Sequence, residues 1–339
     1  MSGFPIIDLV LGLLFIYLIL SIISSSLVEI ILGSFNIRRK VLKKWLLTTF
    51  DNKMLLPDGT TQTLGYAIMD HSVTSALSKK GKANAFIDSK NFVSSLLEKL
   101  TFDPNNPLNI PEDIDQIVTS IKKPIALNGT PLLSIELQRA YLMYAYEAKA
   151  SYSASIINLK EGIPINSEIQ IFHDKLENWF DTSMDRVQGY MKVKYVIPIS
   201  LVVSIIVVLA LNADSVAISK YLYNNPAGRA KIAAQEYKTV QDYNLQKKID
   251  SLAPDIAQNL RENQEQLKQG IAMLNESGIP LGWDDKNNNE TFLTRLAGWL
   301  ATVLAVMQGA PFWFDLLNKI SNVRSTGAKP STTDKNKKE

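Results

Sequence analysis

The sequence predicts an all-α integral membrane protein with three transmembrane helices, a cytoplasmic helical domain and an extracytoplasmic helical segment that resembles a coiled coil. Two observations predict this architecture. Apolar residues are collected into long runs at 4–33, 195–218 and 292–317, whereas a soluble domain spreads them periodically. Lysine and arginine cluster at one flank of each run, as they do beside membrane helices.

The overall composition excludes several classes of function. The net charge is +3 over 339 residues, which is too small to favour a nucleic-acid partner. The chain contains no cysteine, so disulfides, thiolate metal sites and cysteine nucleophiles are excluded.

The first run is predicted to be an uncleaved membrane helix. Between Phe4 and Ile23 the only charged residue is Asp8, which leaves about 20 apolar residues to cross the hydrocarbon layer. A cleavable signal peptide is the competing interpretation, but it requires a basic segment before a shorter apolar core. No lysine or arginine precedes Arg38, so the uncleaved helix is favoured.

The second and third runs are also predicted to be spanning helices. The second is rich in β-branched residues, yet Tyr195 to Leu211 carries no charge, and a single segment crosses lipid only as a helix. Pro198 lies in the first turns, where a missing N–H is tolerated. The third run is about as long as the hydrocarbon layer is thick at roughly 1.5 Å per residue.

Basic residues at the flanks predict the orientation. The side that carries them is the cytoplasm by the positive-inside rule, so the N-terminus is expected outside and the C-terminus inside. The three clusters are Arg38, Arg39, Lys40, Lys43 and Lys44 after the first run; Lys192 and Lys194 before the second; and Lys319, Arg324 and Lys329 after the third.

Residues 34–194 are predicted to be a cytoplasmic helical domain whose start continues the first helix. Amphipathic stretches between turn-rich segments indicate short helices, and an apolar stripe on a longer helix precedes the second run. The stripe packs either against the rest of this domain or at an oligomer interface. Its members are Ile169, Phe172, Leu176, Trp179, Phe180, Met184, Val187 and Met191.

Residues 219–291 are predicted to be an extracytoplasmic helical segment. Leucine and isoleucine recur at spacings typical of a short coiled-coil seam, and Pro254 allows either one bent helix or a helical hairpin. The predicted seam residues are Leu245, Ile249, Leu252, Ile256 and Leu260. Residues 318–339 are expected to be a disordered basic tail on the cytoplasmic side.

No catalytic, cofactor-binding or metal-binding residue is predicted. The two histidines, His71 and His173, lie far apart in the sequence and neither has metal-ligand spacing to another His. No phosphate-binding loop, dinucleotide fingerprint or nucleophile elbow is present. The sequence indicates no small-molecule substrate, and no enzyme is expected.

Charged residues near the membrane boundary predict a belt of ion pairs. Glu29 and Asp315 lie late in the first and third runs, where charge costs less than at the midplane. Their expected partners are Arg38, Arg39, Lys192 and Lys194. A structural belt is favoured, and a proton- or ion-conducting role is the alternative.

Small residues predict close helix packing. Ala297, Ala301, Ala305 and Gly309 repeat every four residues, and Ser200 and Ser204 have the same spacing. Such spacing lets helices approach closely in lipid, so the third helix is expected to pack against a neighbour in the same chain or in the next.

The stretch GAPFWFDLLNK ends the third run and is predicted to fix the depth and angle at which the third helix leaves the membrane. Pro311 is expected to kink the helix. Phe312, Trp313 and Phe314 fit an aromatic belt at the membrane interface.

Several stretches resemble a family of uncharacterised bacterial membrane proteins. They are W-F-D-x-x-M-D-R-V from Trp179, N-x-D-x-x-x-I from Asn212, GIPLGW, and G-A-P-F-W-F-D-L-L from Gly309. The resemblance covers residues 168–330 and, more weakly, the first helix, but not residues 45–165. It implies a bacterial envelope setting and brings no established activity, so it supplies no catalytic residues. The predicted location is the bacterial inner membrane.

The sequence therefore predicts a non-enzymatic membrane anchor or scaffold subunit of an envelope complex. Its expected partners are the lipid bilayer and either copies of itself or another membrane protein. The alternative is an oligomeric channel or pore-forming component with acidic groups near the cytoplasmic boundary. No cofactor is expected in either case.

Overall fold

The computed structural model is mostly helical. It describes residues 5–55, 59–75, 86–103, 106–108, 110–122, 131–157, 167–229, 231–232, 256–279, 281–283 and 291–326. Contacts divide the chain into two compact units, one formed by Met1–Phe35 with Tyr195–Glu339 and the other by Asn36–Lys194. The bounds of the second unit lie within two residues of the predicted domain of residues 34–194, whose cytoplasmic location stays a prediction.

The elements follow one another along the chain in this order: α1 (Pro5–Ser34), α2 (Ile37–Thr49), β1 (Lys53–Leu55), β2 (Thr61–Thr63), α3 (Leu64–Met69), α4 (Ser72–Ser75), α5 (Ser89–Thr101), α6 (Ile114–Lys122), α7 (Ile135–Ile157), α8 (Glu168–Met191), a π-helical turn (Lys192–Val196), α9 (Ile197–Ala210), α10 (Ser215–Asn224), α11 (Ile256–Ser277), α12 (Phe292–Met307) and α13 (Ala310–Thr326).

Two of the described helices are long and apolar enough to cross a membrane. They are Asp8–Ser34 and the continuous helical stretch Glu168–Ala210. A third candidate span is the broken pair Phe292–Met307 and Ala310–Ile320, whose two halves meet at an angle of 92°. By length and composition, the described residues thus contain two candidate spans, or three if the bent pair counts as one.

Several predicted boundaries change. The first helix does not continue past Ser34, because Asn36 takes a left-handed conformation (φ 51°) and α2 begins after it. The second run does not stay helical to 218, since α9 ends at Ala210 and α10 starts at Ser215. Residues 318–326 of the expected disordered tail belong to α13, and residues 327–339 lie outside the described residues.

The all-α prediction misses a small hairpin. β1 pairs with β2 in antiparallel register, with Met54 opposite Gln62. The connecting stretch contains Gly59, which takes a positive φ of 79° that glycine adopts without strain. A Pro-Asp-Gly sequence next to Thr-rich residues favours a hairpin turn, and the prediction had treated it only as a loop.

An aromatic cluster fills the core of the second unit. Phe92 stacks on Phe180 with ring centroids 4.1 Å apart, and Trp45 contacts both rings. Phe172, Leu176 and Phe180 of α8 are buried there. This part of the predicted stripe therefore packs against the rest of its own domain, as the first of the two interpretations expects, and needs no oligomer to cover it.

In the other unit α1 is the central helix. It packs against α9, α10, α11, α12 and α13, and Phe15, Leu18 and Leu20 are fully buried. α9 and α12 instead expose one aliphatic face each. The exposed large residues on these faces are Ile197, Leu201, Val202, Ile205, Ile206, Leu209, Phe292, Leu293, Leu296, Leu300 and Leu304.

The hydroxyl of Tyr141 is a buried polar group of the second unit that has no hydrogen-bond partner in the described part of the chain. Tyr141 is fully buried, and its ring packs edge-on against that of Trp179 with the ring centroids 5.4 Å apart. Its hydroxyl forms no hydrogen bond with any described residue. Burial, with a smaller effect from Tyr144, holds the pKa of Tyr141 well above its usual range.

We predict that Tyr141→Phe leaves the second unit at least as stable as the wild type and stabilises it by up to about 1 kcal/mol, because it removes a desolvated hydroxyl and keeps the ring. Thermal unfolding followed by near-UV circular dichroism measures the effect. The control, Tyr144→Phe at a half-buried ring, should change little. A clear loss of stability in Tyr141→Phe alone would show that its hydroxyl has a partner.

Candidate functional site

A tight turn at the end of α9 begins a polar region of the first compact unit, Met1–Phe35 with Tyr195–Glu339, which we call the membrane-helix unit because it contains the candidate spans' apolar segments. Asn212 takes a left-handed conformation (φ 45°), and the backbone N–H of Ala213 donates to the carbonyl of Val208 at 2.9 Å. These features close the helix as a left-handed C-cap does. Asp214 then caps α10, with Oδ1 accepting from the N–H of Val216 at 2.8 Å.

The side chain of Asn212 joins three separate stretches of sequence. Its Nδ2 donates to the carbonyl of Gly282 at 2.8 Å, and its Oδ1 accepts from Nε1 of Trp299 at 3.0 Å. Nε1 of Trp283 donates to the carbonyl of Leu209 at 3.1 Å. The structure thereby brings together the N-x-D motif, the GIPLGW motif and Trp299 of the third run, which are separate in the sequence.

A buried chain of hydroxyl groups connects α1, α10 and α12. The hydroxyls of Tyr17 and Ser215 are 2.8 Å apart, and those of Ser215 and Thr302 are 2.7 Å apart. Thr302 Oγ1 also donates to the carbonyl of Gly298 at 2.8 Å. Each hydroxyl is satisfied, which removes most of the cost of burying it.

Gly298 permits the closest approach in this region. A Cβ at this position would lie 1.6 Å from Oδ1 and 2.5 Å from Cγ of Asp214. No side chain fits there while α10 keeps its cap. We call the set Tyr17, Asn212, Asp214, Ser215, Gly298, Trp299 and Thr302 the polar joint.

The stretch from Gly309 forms a corner below the polar joint. Gly309 has φ of 81°, a conformation that favours glycine, and the break between α12 and α13 falls there. Trp313 Nε1 donates to the carbonyl of Ala305 at 2.7 Å, and the Trp313 ring lies 4.9 Å from the ring of Tyr17. The tryptophan therefore caps the end of α12 and attaches α13 to α1.

Two expectations for this stretch are corrected. The bend arises at Gly309 and not at Pro311, which lies in the first turn of α13 where proline is tolerated. Trp313 and Phe314 are buried within the unit, and only Phe312 is exposed. Of the three predicted interface aromatics, Phe312 alone is available to a membrane interface.

The predicted ridge of small residues is not the face that packs within the chain. Ala297 and Ala301 are exposed, and Ala305 and Gly309 are half-buried. The buried face of α12 lies one position further on, at Gly298, Thr302 and Val306. The ridge therefore remains a prediction for contact with another chain.

The two serines on α9 also differ. Ser204 is fully buried, and its hydroxyl lies 3.2 Å from that of Ser24 on α1. Ser200 is half-buried. A second serine of α1, Ser21, donates to the carbonyl of Val306 at 3.3 Å.

The predicted belt of ion pairs is not tested. Its acids, Glu29 and Asp315, belong to one compact unit, and its bases, Arg38, Arg39, Lys192 and Lys194, belong to the other. Within the second unit, Lys194 Nζ donates to the hydroxyl of Tyr190 at 2.8 Å. The belt stays a prediction.

The predicted extracytoplasmic seam lies partly outside the described residues. Leu245, Ile249 and Leu252 fall there, while Ile256 and Leu260 belong to α11. The seam cannot be scored on this helix alone and stays a prediction.

One cluster of reactive groups was not predicted from the sequence. His71 is buried, with its Nε2 against Glu98 and its Nδ1 3.1 Å from the hydroxyl of Ser95. Ser95 and Glu98 are one turn apart on α5, so their shared face was readable from the sequence. Their approach to His71 was not.

The geometry of this cluster favours a structural role over nucleophilic catalysis. Ser95 is fully buried, and its hydroxyl also donates to the carbonyl of Asn91 at 2.7 Å, so it is not presented to a substrate. His71 Nδ1 accepts from the backbone N–H of Val73 at 3.3 Å. Partial burial raises the pKa of Glu98, but contacts with Lys99 and His71 outweigh it and lower that pKa overall.

Among the described residues, no three His, Asp or Glu side chains lie close enough together to bind a metal ion. His173 is half-buried on α8. Burial lowers the pKa of His173, and the nearby Asp174 opposes this shift only in part.

Comparison with protein families, curated proteins and solved structures found no match to this chain. The resemblance stated from the motifs therefore stays a prediction. The polar joint is the candidate site on the evidence of its own geometry.

We predict that Gly298→Ala strongly destabilises the membrane-helix unit, because its Cβ would overlap the carboxylate of Asp214 and displace the cap of α10. Thermal unfolding in mild detergent should show a loss of at least about 2 kcal/mol.

Gly189→Ala is the matched control. Gly189 is also a helical glycine, but a Cβ there would meet no atom within 4 Å. This variant should be neutral or more stable by up to about 1 kcal/mol. Equal behaviour of the two variants would contradict the close approach at Gly298.

Proposed function

We propose that the protein is a non-enzymatic membrane scaffold subunit that assembles with copies of itself or with a membrane partner. The observation that carries this proposal is that the polar groups of the membrane-helix unit lie buried inside it, whereas large apolar side chains lie on its surface. The polar groups of the joint are satisfied by one another, whereas the apolar side chains of α9 and α12 point outward. A group used to hold helices together is not free for chemistry.

The polar joint holds the helices of the membrane-helix unit together, and we expect this unit to enter an assembly as one rigid body. It connects residues as distant in sequence as Tyr17 and Ser215, and the corner at Trp313 adds α13 to the same body. Rigid helices present their outer faces in fixed geometry, which reduces the entropy lost on association. The aliphatic faces of α9 and α12 suit lipid or apolar helices.

Self-assembly is tested by measuring mass in mild detergent and in lipid nanodiscs. We predict an oligomer by light scattering after correction for bound detergent, or a stable complex with one co-purifying membrane protein. Gly298→Ala, which disturbs the joint, should lower the assembled fraction, and Gly189→Ala should not. A clean monomer without a partner in both media would contradict the proposal.

An oligomeric channel is the second candidate, and a specific observation favours it. α11 packs on α1, yet Arg261, Glu265 and Lys268 on its outer side are exposed. Charged groups along a membrane helix are stable beside water in a pore. Glu29 lies in α1 itself.

For the channel we predict ion flux in proteoliposomes that Glu29→Gln reduces. Glu112→Gln, at an exposed position of the other unit, serves as the control and should leave flux unchanged. Flux no greater than that of empty liposomes would exclude conduction and leave the scaffold.

A further inference from the structure

A lysine and a tyrosine are paired at the point where the second apolar run begins. Lys194 Nζ donates to the hydroxyl of Tyr190 at 2.8 Å, and the same ammonium group lies 5.3 Å from the centroid of the Tyr190 ring. Both side chains are exposed. Lys194 belongs to the π-helical turn Lys192–Val196, a helix irregularity that is frequent at functional sites.

A second lysine, Lys44, is brought to this pair from another helix. α2 packs against α8, and the ring of Trp45 on α2 contacts that of Phe180 on α8. Lys44 precedes Trp45 and is exposed. The hydrogen bond from Lys194, with the positive charges of Lys194 and Lys44, lowers the pKa of Tyr190 against the opposing effect of desolvation. Both ammonium groups therefore act on one hydroxyl, and all three side chains belong to one compact unit.

The helix that carries Tyr190 and Lys194 sets their depth. Glu168–Ala210 is one continuous helix and a candidate span. Its exposed aliphatic side chains begin at Val193 and continue at Ile197, so the hydrocarbon layer begins near these residues. Tyr190 lies about 4.5 Å before Val193 at 1.5 Å per residue, and the ammonium group of Lys194 extends back to it. Both polar ends are therefore at the level of the lipid headgroups.

We propose that Lys44, Tyr190 and Lys194, which we call the headgroup cluster, bind the phosphate of an anionic phospholipid. The two ammonium groups donate to the phosphate oxygens in charge-assisted hydrogen bonds, which are stronger than neutral ones. Tyr190 accepts a hydrogen bond from Lys194, so its own hydroxyl proton is available to donate to the same phosphate. This inference depends on neither the proposed assembly nor the channel.

The surroundings of the headgroup cluster favour a lipid over a soluble phosphate. A phospholipid presents its phosphate directly above its acyl chains, and the chain presents its cations directly beside the exposed Val193 and Ile197. A soluble phosphate gains nothing from these aliphatic side chains. An anionic headgroup is favoured over phosphatidylcholine, because Lys44 and Lys194 repel the cation that the choline headgroup carries.

Lipid binding is measured by native mass spectrometry on the full chain, delipidated in a non-ionic detergent. Dioctanoyl phosphatidylglycerol is the anionic probe, dioctanoyl phosphatidylcholine is the zwitterionic probe, and inorganic phosphate is a soluble competitor. We expect phosphatidylglycerol to bind about tenfold more tightly than phosphatidylcholine, a difference that the loss of one strong polar contact also produces. Inorganic phosphate at the concentration of the lipid should not displace it.

Substitutions in the headgroup cluster test which side chains hold the phosphate. Lys44→Gln and Lys194→Gln should each weaken phosphatidylglycerol binding by about tenfold, because each removes one charge-assisted hydrogen bond. Tyr190→Phe keeps the ring and removes a neutral donor, so it should weaken binding by about threefold. Lys194→Arg keeps the charge and should bind within about twofold of the wild type.

Lys90→Gln is the matched control, because it removes the same charge from an exposed lysine of the same unit. The charge of Lys90 acts on Glu177, which lies about 20 Å from Tyr190 along α8 at 1.5 Å per residue. We expect Lys90→Gln to bind phosphatidylglycerol as the wild type does.

The other results would each overturn the inference. An equal loss in Lys90→Gln and Lys194→Gln would show that the lipid responds only to net charge. Equal affinity for the two lipids, or displacement by inorganic phosphate, would remove the anionic lipid as the ligand. Unchanged binding in both Lys44→Gln and Lys194→Gln would place the lipid elsewhere. A loss in Lys194→Gln that is equally large in Lys194→Arg would show that the lysine acts on the fold and not on the phosphate.

Discussion

The contact between Asp214 and Gly298 is the constraint on which the membrane-helix unit depends. A carboxylate this deeply buried must use its oxygens, and Asp214 does so by capping α10. The cap fits only because the facing helix has no side chain at 298. Once α10 and α12 are held in this way, Ser215 and Thr302 come within hydrogen-bond distance, and Tyr17 completes the link to α1.

Hydrogen bonds from serine, threonine and tyrosine join the helices of this unit in addition to the apolar packing around α1. Between helices in lipid, burial of apolar surface supplies little driving force, so close packing and interhelical hydrogen bonds carry more of the association. Ser24 with Ser204, and Ser21 with the carbonyl of Val306, repeat the pattern further along α1. The second unit follows the other rule, since rings of Trp45, Phe92 and Phe180 fill its core.

Length and composition were enough to locate the apolar helices, because spanning the hydrocarbon layer needs a run that little else in a sequence imitates. The breaks were harder to place. Pro311 was predicted to kink the helix, yet Gly309 bends the chain because only a positive φ permits that corner.

The ridge Ala297–Ala301–Ala305 is regular, but a period of four does not say which side of the helix faces inward. The buried side begins one residue later, at Gly298. Tyr17 and Ser215, or His71 and Ser95, are common residue types whose pairing depends on tertiary contacts that a single sequence does not encode locally.

The two outward surfaces of the membrane-helix unit differ in a way that one environment cannot satisfy. The aliphatic residues of α9 and α12 are stable in contact with lipid. The exposed charged residues Arg261, Glu265 and Lys268 of α11 are not, although α11 packs on the same central helix. A single copy surrounded by lipid on all sides would leave Glu265 and Lys268 in hydrocarbon with only each other for compensation. A second copy or enclosed water removes that cost and leaves the apolar faces where they are. The asymmetry of α1's neighbours is therefore the physical argument that supports the proposed assembly.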